Sequence, residues 1–164
     1  MRTLVTGLVI NAVFAAGLAA AMPPALTIDQ LLDICRSPTV AEAAATGDRL
    51  GWPRMNAARL EEWRAGFVSH IGSPVQVVGW QRGADRGADA VSFWTAHGPG
   101  GHRACAYSTA EPAGLLDALS ARFGTPASLD RHDFGTMASW NPGRAEVSFA
   151  QIGSTAVVNI RGHE

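Results

Sequence analysis

Lysine is absent from this 164-residue chain, and all 13 basic residues are arginine. That absence excludes Schiff-base catalysis, a lysine general base and the lysine-dependent phosphate loop. Other chemical signatures are missing too. There is no G-x-S-x-G, no H-E-x-x-H and no Cys-x-x-Cys, so nothing announces a serine hydrolase, a zincin or a thioredoxin-type centre. There is also little excess of either charge, the formal net being −1 at pH 7. A strongly basic footprint for nucleic acid or an anionic membrane surface is therefore lacking.

What is present begins at the N-terminus. Arg2 precedes a mostly apolar run, Leu4 to Leu18, and Ala19-Ala20-Ala21 offers the small residues a signal peptidase accepts. Met22-Pro23-Pro24 follows, where proline stops a helix. The expectation is a cleavable leader over 1–21 and one exported domain over 22–164, located in the periplasm or secreted. A permanent anchor fits less well. Thr6, Gly7, Asn11 and Gly17 interrupt the run, and a spanning helix needs ~20 strongly apolar residues. The mature chain, about 143 residues, suits a single domain.

Export gives the two cysteines a meaning. In an oxidising compartment the isolated pair Cys35 and Cys105 is expected to form a disulfide. It closes a loop of about 70 residues, worth roughly 4 kcal/mol in the chain-entropy description.

Periodicity divides the remainder into a helical part and a strand-rich part. Thr27 with Gln30, then Thr39 with Glu42, repeat the capping-box spacing before two short helices. The second reaches about Leu50, and Gly51 stops it. Leu60, Trp63, Phe67 and Ile71 form the apolar stripe of a third helix. Val75–Arg82, Ala90–His97 and His102–Thr109 read as strands, the last two flanking Gly98-Pro99-Gly100-Gly101. Ser108 or Thr109 then offers a cap for a helix with Pro112 in its first turn and Leu115, Leu116, Leu119 and Phe123 on its apolar face. Thr136–Trp140, Ala145–Gln151 and Thr155–Arg161 complete the strands. The order is α-α-α-β-β-β-α-β-β-β. Tight turns between consecutive strands make the sheet antiparallel and the class α+β.

Three constellations carry candidate chemistry. His97 and His102 are expected opposite each other across the hairpin, with Cβ atoms about 5 Å apart. With His132 or Asp130 as a third ligand they would form a zinc or copper site; otherwise they are two solvated histidines beside an exposed turn. Asp130, His132 and Asp133 make a polar cluster in which an aspartate can orient an imidazole, or else a charged surface loop. Trp80, Trp94 and Trp140 fall in three different strands, where they either pack the core or form a stacking platform for a ligand or partner. Alternation along its strand sets Trp94 on the opposite face from Val91 and Phe93. Arg82, Arg86 and Arg103 can meet a carboxylate or phosphate, although Asp85 and Asp89 stand ready to neutralise them.

The leading expectation is a non-enzymatic binding or accessory module acting on an envelope protein or a small ligand. It calls for no cofactor, no nucleic acid and no membrane association after cleavage. The alternative is a metal-binding or hydrolytic enzyme using His97, His102 and His132.

Overall fold

Helices begin where a side chain can satisfy their free amides. The computed structural model describes residues 25–83, 89–98 and 101–162. The expected leader over 1–21, Asp85 and Arg86 lie outside them. Thr27 and Gln30 close a full capping box at the start of α1 (Ile28–Cys35). The Thr39 hydroxyl accepts from the Glu42 amide at the start of α2 (Val40–Gly47). A 3-10 turn, Asp48–Leu50, then ends at Gly51, whose φ of 71° suits glycine. Asn56 caps α3 (Ala57–Ile71).

The fourth helix starts later than its sequence suggests. The Thr109 hydroxyl accepts from the nearby Glu111 amide at 3.0 Å, forming a local turn instead of a cap. α4 (Leu115–Phe123) follows Gly114, which offers no side-chain cap.

Among the described residues seven strands form one antiparallel sheet: β1 (Val75–Arg82), β2 (Asp89–Ala96), β3 (Arg103–Thr109), β4 (Ser128–His132), β5 (Gly135–Trp140), β6 (Ala145–Ile152) and β7 (Thr155–Gly162). The extra strand, β4, corrects the reading of Asp130 and His132 as part of a charged surface loop, while Asp133 lies in the turn that follows. All five of its residues are exposed, so it has no apolar alternation to announce it. The spatial order is β1-β2-β3-β7-β6-β5-β4. The chain therefore makes two meanders. α4 carries it from the first to the far edge, and the second meander returns until β7 pairs with β3.

Register sorts the side chains into two faces. One row runs Val78, Phe93, Cys105, Ile160, Val147, Trp140 across six strands, and the next runs Trp80, Val91, Tyr107, Val158, Phe149, Ala138. All twelve are buried, and α1, α2 and α4 cover them through Leu31, Leu32, Ile34, Ala43 and Leu119. On the opposite face Leu60 and Phe67 of α3 pack on Val75, Val77, Trp94 and Ala104. The disulfide Cys35–Cys105 joins the end of α1 to β3, with Cα atoms 5.5 Å apart. Among the described residues no helix is long and apolar enough to cross a membrane.

One exposed ion pair supports the helix–sheet seam. Asp48 accepts two hydrogen bonds from Arg54, at 2.8 and 2.7 Å, and one from the buried Trp80 indole at 3.1 Å. The Arg54 bonds, then the Trp80 bond, lower the Asp48 pKa to about 2 from the ordinary 3.8. A carboxylate whose folded pKa is depressed stabilises the fold above its unfolded pKa, and that contribution disappears as pH falls through the folded value. Asp48→Asn should therefore flatten the acid limb. Between pH 4 and pH 2 the wild type should lose more stability to urea than the variant, and parallel curves would refute the linkage.

Candidate functional site

The covered face of the sheet ends in a cleft. β3, β7 and β6 stand in register there as Arg103, Gly162 and Ala145. Arg103 is two residues from Cys105, so its side chain leaves the sheet on the helical side. Gly162 has no side chain to obstruct it. A Cβ at Gly162 would stand 3.6 Å from the Arg103 Nε, so the guanidinium stem passes over the glycine.

Three more arginines line the same cleft from three other elements. Arg36 follows Cys35 at the end of α1, Arg122 lies in the last turn of α4, and Arg144 comes from the β5–β6 turn. The cleft has a volume of about 440 Å³ and an apolar floor that includes Leu32, Phe123, Val147 and Ile160. No carboxylate lines it among the described residues. Arg122 has a long contact with Asp29, 3.4 Å, and lies over the Phe123 ring at 5.7 Å. Among the described residues no ion pair joins Arg36, Arg103 or Arg144 to a carboxylate. In a chain of net charge −1 this is a concentrated positive field. Arginine is suited to such a place because its planar fork meets carboxylate or phosphate through two parallel bonds.

Arg103 thus has a different fate from Arg82. Arg82 pairs with the buried Asp89 and lies over the Trp52 ring at 5.5 Å, so the neutralisation expected around the β1–β2 connection is present there. Arg103 instead turns into the cleft. A sequence signal for half the site existed. A disulfide between residues 35 and 105 draws the segments that carry residues 36 and 103 close to each other. Arg122 and Arg144 carry no such signal.

The expected histidine set is not assembled. Thr95 pairs with Arg103, so the next partner of His102 is Ala96, whose amide donates to the His102 carbonyl at 2.8 Å. His97 is one residue out of register and its amide donates to Pro74 at 3.1 Å. A one-residue offset reverses the face on which a side chain emerges. Both histidines still border a small cleft of about 260 Å³, but Arg103 borders it as well. His132 is on β4, beyond β7, β6 and β5 and about 19 Å from β3 at normal strand spacing. It stacks on Phe134, with ring centroids 5.1 Å apart. Among the described residues no three His, Cys, Asp or Glu side chains are grouped to hold a metal. Asp130 and His132 do share a strand, with the Ser128 hydroxyl donating to Asp130 at 3.1 Å.

The tryptophans do not form an exposed platform either. Trp80 and Trp140 belong to the helix-covered face, at 0% and 2% exposure. Their indole N–H groups donate to Asp48 and to the Gly124 carbonyl. Trp94 does lie on the other face, as alternation requires, but Phe67 of α3 stacks on it at 4.5 Å. The demand of large aromatic surface for burial decided all three.

No protein-family model matches this chain, and comparison with curated proteins and with solved structures gives no significant match.

Proposed function

We propose that this protein is an exported, non-enzymatic binding module whose ligand presents a carboxylate or phosphate to the arginine cleft. One observation carries the reading: Arg36, Arg103, Arg122 and Arg144 line a single cleft in which no carboxylate takes part among the described residues. Four like charges held together repel one another, and a bound anion relieves that repulsion while accepting charge-assisted hydrogen bonds. The half-buried Arg103, passing over Gly162, is the deepest anchor. The apolar floor lowers the local dielectric and strengthens each contact. The disulfide and the leader pattern support an oxidising location outside the cytoplasm.

Titration calorimetry of the mature protein with inorganic phosphate and with citrate tests this. Binding should weaken as ionic strength rises. Arg103→Gln and Arg144→Gln should each weaken it by roughly 10- to 100-fold, the value of a hydrogen bond to a charged group. Arg131→Gln on β4 should leave it unchanged. Heat evolved equally by all four proteins, or by none, would refute the assignment. Sequencing the N-terminus of the same preparation checks export, with Met22 expected first.

A further inference from the structure

A second cavity lies along the same helix pair. α1, its following residue Arg36, and α4 border the arginine cleft through Leu32, Arg36, Arg122 and Phe123. The two helices also border a cavity of about 570 Å³ through Ile28, Leu115, Ala118 and Ala121, with Leu26 just before α1. Arg122 lines both. The two spaces thus share one seam and one residue between them.

Their chemistry is opposite. The arginine cleft carries four cations. The second cavity is mostly apolar, and its carboxylates are Asp29 and Glu111, both exposed. The buried Tyr107 also lines it, and burial pushes its hydroxyl above its ordinary pKa. An anionic group is repelled at one end of the seam and attracted at the other, whereas a hydrocarbon chain is welcome at the apolar end. The divider is weak. Arg122 and Asp29 approach to 3.4 Å with side chains 42% and 84% exposed. Exposed pairs of this kind contribute little, so the Arg122 side chain can swing aside toward a bound head group.

We infer that the ligand is a single-chain amphiphile, its anionic head among Arg36, Arg103 and Arg144 and its apolar chain lying along the α1–α4 seam into the second cavity. This inference rests on the arginine cleft being the anion site.

The test is a chain-length series of butanoate, hexanoate and octanoate, each below its aggregation concentration, measured by calorimetry on the oxidised mature protein. Affinity should rise roughly fourfold per added methylene, the equivalent of about 0.8 kcal/mol for each one buried. Ala118→Trp, at an exposed position of α4 bordering the second cavity, should bring octanoate down to the affinity of butanoate and leave butanoate and the melting temperature unchanged. Octanol should bind far more weakly than octanoate. Phosphate and butanoate binding with a flat series would overturn the amphiphile but not the anion site. Octanoate binding that Ala118→Trp does not alter would overturn the placement of the chain. Octanol equal to octanoate would overturn the role of the head group. Failure of phosphate, butanoate and octanoate alike would overturn both this inference and the reading beneath it.

Discussion

Replacing Cys35 and Cys105 together by serine should lower the unfolding free energy by about 4 kcal/mol, the chain-entropy value for a closed loop of this size. The bond spans 70 residues, including α2, α3, β1 and β2. Without it the unfolded chain recovers the freedom of that loop, whereas the folded chain keeps most of its packing. Leu31, Leu32 and Ile34 of α1 remain buried against the sheet, so the fold should persist in a weakened form. Domains of this size have only ~5–15 kcal/mol in total. The loss is therefore a large fraction and should be plain in urea unfolding followed by tryptophan fluorescence. Wild-type protein reduced with dithiothreitol should match the double variant. A change below about 1 kcal/mol would show that the denatured chain is already compact. The same bond places Arg36 beside Arg103, so the double variant should also bind phosphate less tightly at temperatures where it remains folded.

Trp80→Ala should cost about 3–5 kcal/mol, the usual range for truncating a buried aromatic to alanine. The indole is fully buried on the helix-covered face of β1 and supplies a hydrogen bond to Asp48. It is seated against Gly47, the last residue of α2. A Cβ at that glycine would overlap the Trp80 ring. Gly47→Ala should accordingly cost about 1–3 kcal/mol by overpacking, despite the better helix propensity of alanine. The two effects are coupled. In a Trp80→Phe background the smaller ring leaves room, and Gly47→Ala should become nearly neutral. Equal costs of Gly47→Ala in both backgrounds would mean that the glycine serves backbone conformation and not the indole.

Much of this architecture was legible because its signals are local. Thr27, Thr39, Gly51 and Gly72 mark helix ends within one turn of themselves. Six of the seven strands have a period-two pattern or flanking turn residues. β4 lacks the period-two pattern, since it is an exposed edge strand held through β5 alone. Thr109 misled for a related reason. A hydroxyl three residues before a helical pattern is a cap only if the chain enters the helix at once, and here a turn at Glu111 intervenes. The histidine pair failed by a single residue of register, a quantity decided by the β2–β3 pairing and not by loop composition.

The sequence alone determined the class, the cysteine pair available for bridging, the caps of α1 and α2 and the face on which Trp94 emerges, because each depends on residues a few positions apart or on simple elimination. The tertiary structure decided which strands meet and what the arginines do. The pairing of β3 with β7 joins segments about 50 residues apart, and no local preference specifies it. That pairing lines up Arg103, Gly162 and Ala145. The packing of α1 and α4 on the same face then brings Arg36 and Arg122 to them. A cleft built from so many elements has no sequence motif, because its residues become neighbours only when the core beneath them has closed.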